Sequence, residues 1–158
     1  MRRLTGTALL SGFYLNELLI RTLAREDPHE QLFDDYRRTI ETLAEGRSIA
    51  PALRRFEKAL LAELGYAMPL DHDVRSGAPI DAAAHYTYDP ERGPVRLASG
   101  ESAAVVVGGQ ALLDLAGDVY TDPVTLAEVK NLMRFLISHR IDAKPILSRQ
   151  LLRDLREL

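Results

Sequence analysis

The sequence predicts a mainly α-helical domain with a small irregular or β insert, and three observations predict it. Apolar residues recur at helical spacing from about Thr7 to Leu64. The periodicity fails from Met68 to Val107, where Pro, Gly, Ser and Asp accumulate, and it returns after Gly108-Gly109. With 158 residues, 46% hydrophobic and 27% charged, the chain is long enough to enclose a core and has an ordinary globular composition. The expected organisation is a single helical domain over residues 1–158 with 68–107 as its insert, since no repeat at solenoid spacing and no linker divides it.

The first helix is expected over Thr7 to Leu23. Its residues Leu9, Leu10, Phe13, Tyr14, Leu15, Leu18, Leu19 and Leu23 are apolar on most sides, which suits a central helix enclosed by neighbours. Asp27-Pro28-His29-Glu30 supplies an N-cap carboxylate, a proline at the first helical position and a capping-box glutamate for the second helix. That helix should bury Leu32, Phe33, Tyr36, Ile40 and Leu43 and end at Gly46, where glycine tolerates the left-handed conformation. The third begins near Ser48, carries Pro51 in its first turn, buries Leu53, Phe56, Leu60, Leu61 and Leu64, and stops at Gly65. Arg54, Arg55 and Lys58 fall outside that stripe.

Within the insert, His85–Tyr88, Val95–Leu97 and Ala103–Val107 are the expected strands, with Asp89-Pro90-Glu91-Arg92-Gly93 as the turn between the first two. Three further helices are expected: a short one over Gln110 to Leu115, a longer one over about Pro123 to His139, and a last one from Ser148. Charge is uneven along the chain. From Asp71 to Glu101 six acids oppose three arginines, whereas from Val124 to Leu158 seven bases oppose four acids. The net charge of -3 gives no whole-chain attraction to polyanions, so contact with nucleic acid would require a local basic patch.

Few residues can support catalysis. There is no cysteine, which removes disulfides and thiolate metal sites, and no serine stands in a G-x-S-x-G or S-x-x-K context. Asp71-His72-Asp73 is the most metal-like cluster, but adjacent residues rarely converge on one ion, and Asp81 and His85 add no recognised spacing. A solvated turn is the better reading. Gly108-Gly109 lacks both G-x-G-x-x-G and the G-K-[ST] ending of a P-loop, so a turn opening a helix is expected there. The residues point to no enzyme, no cofactor and no metal. Asn16-Glu17 places polar groups in an apolar helix and calls for structural hydrogen bonds. No run of about 18 apolar residues suggests a membrane span, and no signal peptide is visible, so a cytoplasmic protein is expected.

Five strings in order resemble the C-terminal helical region of the bacterial RecO family of DNA repair and recombination mediators. They are Leu10-Ser11-Gly12-Phe13-Tyr14-Leu15-Asn16-Glu17-Leu18-Leu19; Glu26-Asp27-Pro28-His29 with Leu32-Phe33-Asp34-Asp35-Tyr36; Ala52-Leu53-Arg54-Arg55-Phe56-Glu57 running into Leu64-Gly65-Tyr66; Tyr86-Thr87-Tyr88-Asp89-Pro90-Glu91-Arg92-Gly93; and Ala143-Lys144-Pro145-Ile146-Leu147-Ser148-Arg149-Gln150-Leu151. The resemblance covers almost the whole chain. It implies an N-terminal OB-fold that this chain does not contain, and a zinc-binding insert degenerate here, because the first of the CxxC pairs carried by many members falls on Asp73 and Ser76.

The same resemblance implies a non-enzymatic function. Members help load recombinase onto single-stranded DNA coated by the single-stranded-DNA-binding protein, anneal strands, and act with RecR, in the cytoplasm and at the nucleoid during repair. Their contact with single-stranded DNA is expected mainly from the OB-fold. The helical part is expected to capture the acidic, apolar C-terminal tail of the single-stranded-DNA-binding protein in an apolar groove edged by bases. Arg54, Arg55 and Lys58 are the candidate edge, with Arg134, Lys144 and Arg149 as further contacts to the tail or to DNA phosphates. The alternatives are a helical scaffold that binds only protein, RecR included, and a metal-dependent hydrolase built on Asp71, His72, Asp73 and His85.

Overall fold

In a computed structural model, residues 3–24, 28–141 and 144–154 are described, with side chains as far as residue 151. They form α1 (Gly6–Thr22), α2 (Glu30–Ala44), α3 (Ile49–Glu63), β1 (His85–Asp89), β2 (Gly93–Arg96), β3 (Val107–Gly108), α4 (Gly109–Ala116), α5 (Pro123–Ser138) and α6 (Leu147–Asp154). The chain groups into two compact units, Met1–Leu64 with Arg140–Leu158, and Gly65–His139. The mainly helical class with a small sheet in the insert is what the periodicity predicts. No helix among the described residues is long and apolar enough to cross a membrane.

In the first unit α1 packs against α2, α3 and α6. Its core side includes Tyr14, Leu15 and Leu18, which meet a layer containing Leu32, Leu43, Phe56, Leu60 and Leu61. Gly46 (φ 72°) and Gly65 (φ 84°) follow α2 and α3 in the left-handed region, where a side chain would be strained. Several burial expectations are corrected. α1 is not enclosed, for Leu9, Phe13 and Ile20 are 40%, 50% and 80% exposed. Phe33 points outward, and Leu53 and Leu64 are half-buried. α2 starts at Glu30, after the expected proline position, because the His29 backbone (φ -121°, ψ 67°) is not helical. The His29 ring instead meets Glu63 at 2.7 Å. The expected cap at Asp27 lies outside the described residues.

The second unit holds the sheet, in the order β2-β1-β3 with antiparallel pairing. Tyr86 and Tyr88 alternate onto one face of β1 and are buried, as period-two geometry requires. The β1–β2 turn is an Asx-type turn, in which the Asp89 carboxylate accepts from the Glu91 and Arg92 N–H groups. The expected third strand shrinks to Val107–Gly108, with residues 103–106 outside the ladder. α5 opens as expected: the Asp122 carboxylate accepts from Val124 N–H at 2.9 Å and Pro123 occupies the first turn.

Asp73 organises the insert. Its buried carboxylate accepts from the Ser76 hydroxyl at 2.6 Å and Arg75 N–H at 3.0 Å, while its backbone N–H donates to the Ala78 carbonyl. A hydrogen-bonded Asp-x-x-Ser turn thus stands where the resemblance places a cysteine pair. The Ser76 hydroxyl holds the Asp73 carboxyl below its usual range; burial opposes this, and the Arg75 and Arg96 backbones add to it. A depressed folded-state pKa means stability that is present above the ordinary carboxylate pKa and lost as pH falls through the folded value. Asp73→Asn is therefore expected to lower the second unit's urea midpoint at pH 7. The gap from wild type should narrow below about pH 4; a constant gap would show that the charge contributes nothing.

A candidate interaction site in the helical unit

A chain of polar groups crosses the interior of the first unit. The Tyr14 hydroxyl donates to Glu57 Oε1 at 2.6 Å, and Arg54 Nη2 donates to the same oxygen at 2.7 Å. Arg149 Nη2 in turn donates to the Tyr14 oxygen at 2.9 Å, with its guanidinium carbon 5.0 Å from the Tyr14 ring centroid. Glu57 is fully buried and Arg54 is 6% exposed. Burial, reinforced by the neighbouring Glu57 charge, pushes the Tyr14 phenol above its ordinary range, so it remains a neutral donor. One guanidinium thus meets the carboxylate directly and a second reaches it through the Tyr14 hydroxyl, and Arg54 Nε and Glu57 Oε2 have no partner among the described residues.

A second cluster fastens α6 to α1. Glu17 accepts from the backbone N–H of Leu147 at 2.8 Å, from that of Ser148 at 3.0 Å and from the Ser148 hydroxyl at 2.7 Å. Its carboxylate therefore serves the first N–H groups of α6, where the helix dipole favours negative charge. Arg21 donates to Glu17 and to the carbonyls of Lys144 and Pro145. Burial disfavours the charged form of Glu17, but the Ser148, Leu147 and Arg21 donors outweigh it and hold the carboxyl below its usual range. Asn16, expected to need a structural partner, accepts from the Tyr36 hydroxyl at 2.8 Å on the surface.

Alongside this clamp lies a groove of about 470 Å³, lined by Phe13, Glu17, Leu147, Ser148, Gln150 and Leu151. Phe13, Leu147 and Leu151 are 50%, 69% and 45% exposed, leaving apolar surface open where α1 and α6 meet.

The sequence candidates separate under this geometry. Arg54 is buried, which corrects its placement outside the stripe: Glu57, one turn further along α3, draws it inward. Arg55 is exposed and Lys58 half-buried on the same helix. Arg149 joins Arg54 through Tyr14 and Glu57. Lys144 is exposed just before α6, and Arg134 lies on α5 in the other unit. Tyr14 and Glu57 were not singled out from sequence, although a tyrosine in an apolar run must find a hydroxyl partner. The Arg54-x-x-Glu57 spacing was the readable signal.

The metal-like cluster is dispersed. Asp71 pairs with its neighbour His72, Asp73 turns to Ser76, and Asp81 meets Arg96 at 3.1 Å. Among the described residues no three potential ligands converge. The Gly108-Gly109 amides are likewise occupied, Gly108 N–H donating to Glu128 and Gly109 N–H to the Ala84 carbonyl.

The family model described as "Recombination protein O C terminal" matches residues 3–150. The chain belongs to the RecO family. Relatives named DNA repair protein RecO include one from Nitrosospira multiformis, 47% identical over 98% of this chain and 64% of the relative. One from Thiobacillus denitrificans is 49% identical over 97% and 62%, and one from Paraburkholderia xenovorans is 48% identical over 100% and 53%. The chain therefore spans less than two thirds of the length of these RecO relatives, and corresponds to the family's C-terminal part.

Proposed function

We propose that this chain is the partner-capture part of a DNA repair and recombination mediator. In this reading the first unit binds the acidic, apolar C-terminal tail of the single-stranded-DNA-binding protein, supporting recombinase loading and strand annealing with RecR, and no bond is made or broken. The observation that carries it is the open apolar groove of Phe13 on α1 and Leu147 and Leu151 on α6, the helix that also bears Arg149. Such a tail needs apolar contact for its side chains and guanidinium or ammonium groups for its carboxylates. Arg55, Lys58 and Lys144 are proposed to add attraction for the tail or for DNA phosphates at longer range, Arg134 to contact DNA phosphates from the second unit, and Arg54 to act indirectly by holding Glu57.

Phe13→Asp is expected to weaken binding of an acidic, apolar tail peptide at least about tenfold, a loss of about 1.4 kcal/mol. Fluorescence anisotropy measures the affinity, and circular dichroism checks that the helices survive. Binding should also weaken with added salt. Unaltered affinity in the folded variant would remove the tail from this groove. A protein-only scaffold is the second reading, favoured by Ile20 at 80% and Phe33 at 64% exposure outside the groove. Absence of single-stranded oligonucleotide binding at low salt would favour it.

A further inference from the structure

We infer that Glu17 is a positioning residue that assembles the groove, so that docking of α6 and capture of the tail are one coupled equilibrium. This rests on the tail reading above. The groove has two walls. Phe13 and Glu17 come from α1, and Leu147, Ser148, Gln150 and Leu151 come from α6, so without α6 on α1 the groove does not exist.

Polar contacts fasten the first turn of α6. Glu17 takes three donors from the α6 N-terminus, and Arg149 lies against Tyr14. Ile146 and Ser148 are buried, while Leu147 and Leu151 stay open to solvent. A ligand covering Leu147, Leu151 and Phe13 together adds apolar contact to both helices and staples α6 to α1. By linkage, whatever loosens α6 weakens that ligand in proportion.

The sign of one substitution separates this from a direct contact. Glu17 lines the groove, so if α6 stayed in place, removing its negative charge would strengthen binding of an acidic peptide. Loss of affinity instead means that the carboxylate acts through α6. In the full chain, Glu17→Ala is expected to accelerate amide exchange over residues 147–151 at least about tenfold and to weaken the acidic tail peptide by a similar factor. Exchange in residues 65–139 should not change. Glu17→Gln, which keeps one acceptor oxygen, should fall between, and Ser148→Ala is a milder variant should Glu17→Ala fail to fold. In wild type, saturating peptide should slow exchange over 147–151. Faster exchange with equal or tighter peptide binding overturns the coupling while leaving tail capture intact. Unchanged exchange overturns the clamp. A wild-type protein that does not bind the peptide overturns the tail reading and this inference with it.

Discussion

Glu57→Ala is expected to destabilise the helical unit by about 3–5 kcal/mol, as the removal of one partner from a buried ion pair does. Arg54 would be left in the interior with no carboxylate, and Tyr14 would lose the acceptor of its hydroxyl. Urea unfolding followed by far-ultraviolet circular dichroism measures the loss as a lower midpoint. The paired replacement Arg54→Met with Glu57→Leu should recover most of it. Each unsatisfied buried group costs about 1–3 kcal/mol, and Arg54 Nε and Glu57 Oε2 lack partners among the described residues, so replacing the pair with apolar side chains removes that cost. A single substitution that left the midpoint unmoved would mean that the interior is wetter than the burial of Glu57 indicates.

Gly109→Ala is expected to cost the second unit at least about 3 kcal/mol, at the upper end of overpacking effects. A Cβ there would run into the Asp81 carbonyl oxygen and stand 2.8 Å from its carbon and 3.2 Å from the Ala82 Cα. All three atoms are backbone and cannot rotate away. Moving them would break the bonds that tie loop 81–84 to the start of α4, Gly109 N–H to Ala84 and Gln110 N–H to Ala82. Gly108→Ala is the internal control. Its Cβ would lie 3.0 Å from Glu128 Oε2, the end of a flexible side chain, so about 1 kcal/mol is expected. Equal midpoints for the two variants in urea would contradict the close-approach argument.

Helix boundaries were legible to within a few residues because their signals are local. Asp122-Pro123, Gly46 and Gly65 act through their own backbone conformations and nearest N–H groups, and period-two alternation marked Tyr86 and Tyr88. The interaction site was less legible. Arg54, Arg55 and Lys58 read as one basic run, but neighbours on a helix point about 100° apart, so Arg54 turns into the core while Arg55 faces water. Phe33 and Phe13 satisfied the apolar pattern yet lie exposed, because periodicity identifies a face without showing whether anything covers it.

The sequence by itself determined the helical class, the interruption by a small sheet, the lack of cysteine chemistry and the family, since each follows from residue type and order along the chain. Only the tertiary structure decided which polar residues meet. Tyr14 and Glu57 are 43 residues apart, Tyr14 and Arg149 are 135 apart, and Glu17 and Ser148 are 131 apart. Contacts at such separations depend on how helices pack, and side-chain order along one strand of sequence carries no record of that geometry. The open groove exists for the same reason: its walls come from opposite ends of the chain, and it appears only when α6 lies against α1.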